Sequence, residues 1–183
     1  MLLVSQNLSN YMKFSNETVF RINLAWVASL KDLKAVIKSI ENDIYLDLPI
    51  GRTKPPNNSY SLDDLKEIID KNSKIKYLAI SNVESSNDIS KYNKILGNSL
   101  TIVPKIESKK GVEKIKEISL EMRGKKTIML DHDDLFSDLI KRGVPPSDFF
   151  TYISKLEDFC LTNSILLLKT RGVIFSDEDK YRY

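Results

Sequence analysis

Short apolar runs alternate with amphipathic stretches from one end of the chain to the other. The runs "LLVS" (2–5), "TVFRINL" (18–24), "IYLDL" (44–48) and "IKYLAIS" (75–81) read as strands, as do "LTIVPKIE" (100–107), "KTIMLD" (126–131) and "SILLLKT" (164–170). A further run, "RGVIFS" (171–176), reads as an eighth, although the turn before it is too short for a crossover helix. Between the runs, apolar residues fall at helical spacing. Leu30, Leu33, Val36, Ile37 and Ile40 form one such stripe, with Ser29 as its cap. Further helices are read over 61–72, 85–96, 111–123 and 145–163, and a short helical turn near "NLSNYMKF". Ser61 stands three residues before an acidic side chain, which is a capping signature.

Strand–helix alternation with continuously apolar strands means a parallel sheet covered by helices. Seven or eight such units predict a compact TIM-type (β/α)₈ barrel, one domain over 1–183. A barrel usually takes about 250 residues. This one is therefore expected to be stripped of insertions or incompletely closed. The loop after the first strand carries no Gly-rich fingerprint, which argues against a dinucleotide-binding sheet.

In such a barrel the chemistry sits where strands end. The second strand carries Arg21 and Asn23 on one face, and the third ends in Asp47 with Arg52 and Lys54 in its loop. The fourth ends in Ser81, Asn82 and Glu84, the fifth in Lys105 and Glu107, the sixth in "DHDDL" (131–135), the seventh in Lys169 and Thr170. Glu107 and one aspartate of "DHDDL" fall on neighbouring strands. Two carboxylates with substrate oxygens and water suit Mg²⁺ or Mn²⁺. Lys105 would then meet a substrate oxyanion or exchange a proton, because burial and a nearby metal lower a lysine pKa. The bland alternative is that Lys105 and Glu107 pair with each other or with Arg21. His132 is the single histidine. Its unperturbed pKa of about 6.5 makes it a candidate general base.

These residues resemble the barrel motifs of the pyruvate kinase family. The resemblance rests on "FRIN" (20–23), "YLDLPIGRTK" (45–54), "YLAISNVESSNDI" (77–89), "IVPKIESKKGVEKIKEI" (102–118) and "TIMLDHDDL" (127–135), in that order. "SILLLKT" resembles the next strand, which ends in a threonine. More distantly the chain is similar to the HpcH/HpaI aldolase and citrate lyase barrels. The resemblance implies that Glu107 and Asp134 ligate the divalent metal and that Lys105 stabilises the transferring group and the enolate. It also implies that Arg21 contacts phosphate, that Asn23 and Asp47 belong to a monovalent-cation (K⁺) site, and that Thr170 lies near the proton delivered to the enolate.

The chain departs from that pattern at informative places. Asp131, His132 and Asp133 stand where the family has small-residue, arginine and glycine positions, Ala25 and Trp26 replace a Ser-His pair, and Glu84 replaces an arginine. The resemblance leads to the expectation of a lid domain reduced to "PPNNSY" (55–60) and of no C-terminal regulatory domain. The function expected is therefore metal-dependent enolate chemistry on phosphoenolpyruvate, pyruvate or a related 2-oxo acid, as a transferase or a carbon–carbon lyase. An aldolase of the HpcH/HpaI type and a non-catalytic binding protein are the alternatives.

Charge and composition narrow the partners. The 28 basic and 25 acidic residues interleave, so they read as solvated helix faces and not as a nucleic-acid stripe. No apolar run approaches a membrane span, and no leader opens the chain, which predicts a cytoplasmic protein. Cys160, the single cysteine, is read as a buried structural thiol. Trp26 is read as core beneath a helix. A missing eighth strand would leave open edges, hence an expected homo-oligomer, a dimer in the first instance.

Overall fold

The computed structural model describes residues 1–10, 13–52 and 55–170. Seven strands form one sheet among these residues, in the order β1 (Leu2–Ser5), β2 (Thr18–Asn23), β3 (Ile44–Leu48), β4 (Ile75–Ile80), β5 (Thr101–Ile106), β6 (Thr127–Leu130) and β7 (Leu166–Lys169). Each strand is parallel to its sequence neighbour. The helices are α1 (Leu30–Ser39), α2 (Leu62–Asp70), α3 (Ser86–Leu96), α4 (Lys109–Glu113), α5 (Ile115–Leu120), α6 (His132–Lys141) and α7 (Phe149–Thr162).

The closed eight-stranded barrel expected from the alternation is not formed. The sheet is a curled half-barrel, and β1 and β7 are its two edges, unpaired with each other among the described residues. The edge strands differ from the middle of the sheet. β3 is buried at every position, whereas β1 and β7 are four residues each and only partly covered. β1 is followed by a 3₁₀ turn (Gln6–Asn10) and not by a full crossover helix. The eighth-strand candidate, 171–176, lies outside the described residues, as does Lys54.

The strands alternate sides with a period of two. Ile44, Leu46 and Leu48 of β3, Ile102 and Ile106 of β5, and Ile128 and Leu130 of β6 face the helices and join the main core. The other face carries a smaller apolar floor of Val19, Tyr45, Ala79, Val103 and Met129. Two residues further along each strand, that same face carries Arg21, Asp47, Ser81, Lys105 and Asp131. A polar ring thus sits above an apolar floor. Within the floor, Tyr45 is fully buried and its hydroxyl donates to the Met129 sulfur at 3.2 Å.

Capping sets the helix starts. Ser29 and Ser61 accept from the backbone N–H of Asp32 and Asp64, each at 3.1 Å. Ser85 and Asp88 form a full capping box on α3. The helix read over 111–123 is two helices, α4 and α5, separated at Lys114. α6 fills a stretch to which the apolar pattern had assigned no helix; Asp131 caps it and Leu135 and Leu139 bury its inner face. Cys160 is buried in the core and burial pushes its thiol up to about 11, in keeping with an inert structural role. Trp26 does not lie in the core. It is 70% exposed, while Ala25 beside it is fully buried.

Candidate metal centre

The polar ring opens into a cleft of about 360 Å³ at the C-terminal ends of the strands. Arg21, Asn23, Asp47, Lys105, Glu107 and Asp134 all line it. Period-two geometry brings Lys105 and Glu107 to the same side of one strand end, and curvature of the sheet brings Asp47 over from β3.

The centre of the ring is a chain of alternating charges. The Lys105 ammonium lies 2.8 Å from Glu107 Oε1, 3.4 Å from Asp47 Oδ1 and 3.2 Å from the Ser81 hydroxyl. The Arg21 guanidinium grips the other Asp47 oxygen, its Nε at 2.9 Å. Lys105, Asp47 and Glu107 are 6%, 2% and 4% exposed, so water screens these pairs little. Burial pulls the Lys105 pKa down, but the carboxylates of Asp47 and Glu107 outweigh it and hold the lysine above its ordinary value. The sequence reading had burial and a nearby metal lowering this lysine; its two carboxylate partners raise it. Arg21 behaves alike: burial opposes its charge and Asp47 more than restores it.

Glu107 stands in the opposite position. Burial pushes its carboxyl above the usual range despite Lys105 and an N–H donor, and Asp134 pushes it further. Beside it, Asp131 caps α6 and Asp134 occupies the first turn of the same helix. One oxygen from each of Glu107, Asp131 and Asp134 falls within 4.8 Å of the other two. Opposite vertices of an octahedral Mg²⁺ shell lie about 4.2 Å apart, so small side-chain rotations would let all three share one ion. The donor set is all carboxylate oxygen, which fits a hard divalent cation. A cation there would also offset the burial and the Asp134 charge that raise Glu107.

Other residues singled out in the sequence are placed differently. His132 and Thr170 meet each other, Nδ1 to Oγ1 at 2.9 Å, where α6 begins and β7 ends, and neither lines the cleft. The Asn23 side-chain oxygen accepts from the Ala25 N–H at 3.1 Å, capping the 3₁₀ turn at Leu24–Trp26. The two Asp47 oxygens face Arg21 and Lys105. Asn58 donates to the Ala25 carbonyl at 2.8 Å and Tyr60 to that of Val27, folding the loop before α2 onto the 3₁₀ turn that follows β2. Glu84 accepts from Ser108 at 2.8 Å and pairs with Lys110 at 3.2 Å, as a rim residue.

Sequence reasoning had not chosen Asp131 as a ligand. Its signal was present: Asp131 follows Met129 by two, as Glu107 follows Lys105, and so shares the inward face.

No family model and no curated protein matches the chain. The fold is similar to the crystal structure of RipC from Yersinia pestis, at 16% identity and a TM-score of 0.62, covering 87% of this chain and 72% of that one. That likeness concerns the fold; function has to be argued from the site. No helix among the described residues is long and apolar enough to cross a membrane.

Proposed function

We propose that this protein binds Mg²⁺ or Mn²⁺ through Glu107, Asp131 and Asp134 and promotes enolate chemistry on a small 2-oxo acid, of the pyruvate or phosphoenolpyruvate class. The observation that carries this reading is a buried, charged Lys105 held 2.8 Å from Glu107, which itself belongs to the three-carboxylate cluster. Bound there, a divalent cation would act as a Lewis acid toward the ligand's oxygens.

The chain's own residues supply the rest. Lys105, kept protonated by Asp47 and Glu107, presents positive charge where an enolate oxygen develops and so stabilises it without giving up its proton. Arg21, tied to Asp47, offers its remaining N–H donors to a carboxylate or phosphate in the cleft. Tyr45 and Met129 close the floor and exclude water beneath the reacting carbon. This division of labour suits proton exchange and aldol cleavage or condensation better than phosphoryl transfer, since the loop expected in place of the lid is tied down on the turn after β2. An HpcH/HpaI-type lyase fits the same set.

A second reading is favoured by one observation. The unbroken series Arg21–Asp47–Lys105–Glu107 could serve to hold a ligand without turnover. The deciding experiment is proton NMR of pyruvate in heavy water with protein and Mn²⁺ or Mg²⁺. Loss of the methyl signal that stops with chelator and in Glu107→Gln supports enolisation. Metal uptake with no exchange would overturn it in favour of the binding protein. The two sheet edges left open among the described residues further support a homodimer, which light scattering of the purified chain checks.

A further inference from the structure

Glu107 is held from two sides, and the second side is unusual. Its Oε1 faces Lys105, while its Oε2 accepts the backbone N–H of Asn82 at 2.7 Å. Asn82 follows β4 with a φ of 54°, in the left-handed region that side-chain-bearing residues rarely occupy. Asparagine tolerates that region better than most.

The backbone on either side shows what the turn accomplishes. The Ser81 N–H donates to the Leu48 carbonyl at 3.2 Å and the Val83 N–H to the Lys105 carbonyl at 3.3 Å. These two amides tie the end of β4 to β3 and to β5. Between them, the left-handed residue turns its amide out of that pattern and toward Glu107. The Asn82 side chain meanwhile donates to the Ile50 carbonyl at 2.7 Å, in the loop after β3 that also lines the cleft.

We propose that Asn82 is a positioning residue of the metal centre: its left-handed backbone aims an amide at Glu107 and fixes the carboxylate's orientation toward Asp131 and Asp134. This rests on the metal-binding reading above. Asn82 need not touch ligand or substrate; it acts through Glu107. Hydrogen-bonding partners of metal ligands typically matter by about 10- to 100-fold in metal affinity.

The backbone claim separates two substitutions. Asn82→Gly keeps the left-handed turn and its amide but loses the tether to Ile50. Asn82→Val is driven out of the left-handed region by its branched side chain. The experiment titrates Mn²⁺ by electron paramagnetic resonance into wild type and both variants, alongside unfolding midpoints taken without metal. The expected result is affinity within about threefold of wild type for Asn82→Gly and about 10- to 100-fold weaker for Asn82→Val. If Asn82→Val does not fold, Asn82→Ala takes its place. A variant that only lowers the unfolding midpoint, with wild-type affinity for Mn²⁺, would overturn the proposal. Equal losses in both variants would overturn the amide's role. Wild type that takes up no Mn²⁺ would instead overturn the metal centre itself, and with it this role.

Discussion

At the scale of single residues, Lys105 decides most. It is the cation between two buried carboxylates, and removing one partner of such a group leaves uncompensated charge in the interior. Lys105→Met is therefore expected to lose about 3–5 kcal/mol of stability near neutral pH. The dependence on pH has a definite sign. Glu107 already has a folded-state pKa above its unfolded value because burial opposes its charge, so ionising it costs stability as pH rises past about 4.3. Without Lys105 that penalty grows. The gap between variant and wild type should thus narrow as pH falls toward about 4, and urea unfolding at several pH values checks it. A constant gap would mean that lost packing of the lysine stem dominates. The pairing of Lys105 with Glu107 was legible in the sequence, since residues two apart on a strand share a face. The sign of the lysine's shift was not, because Asp47 reaches it only through the curvature of the sheet. Nor was the left-handed turn at Asn82, which is a backbone state that no residue pattern at that point demanded.

At the scale of elements, the strands were the clearest part of the sequence. All seven predicted runs contain the observed strands, because parallel strands buried on both faces read as continuous apolar stretches. The helices were less clear. α6 was passed over, since "DHDDL" drew attention as a charged strand end while its aspartates also serve as the cap and first turn of a helix. The break between α4 and α5 at Lys114 is not encoded in a period of 3.6. Gly111 in α4 lies so near the end of β4 that an added Cβ would meet the Val83 carbonyl oxygen at 2.8 Å. Backbone cannot give way as a side chain can. Gly111→Ala is accordingly expected to destabilise by about 1–2 kcal/mol, an overpacking penalty that exceeds the gain in helix propensity. Chemical denaturation measures it, and a variant as stable as wild type would show that α4 can shift away from Val83.

At the scale of the whole molecule, the sheet's failure to close is the main correction to the sequence reading. Alternation and strand count pointed to a barrel, but neither carries information on whether the first and last strands meet. Two short, half-covered edge strands leave the half-barrel open among the described residues, and the charged residues described in the cleft come from β2 to β6, the loops after them and α6. None of the described charged side chains in the cleft comes from β1 or β7. The measurement that tests the account most directly is a titration of oxalate, whose two adjacent carboxylates mimic a planar enolate, followed by calorimetry with and without Mn²⁺. The account predicts that oxalate binds only in the presence of Mn²⁺, and that Glu107→Gln and Asp134→Asn each abolish binding while remaining folded. Oxalate binding that is indifferent to Mn²⁺, or that survives both substitutions, would contradict a metal centre built on these carboxylates.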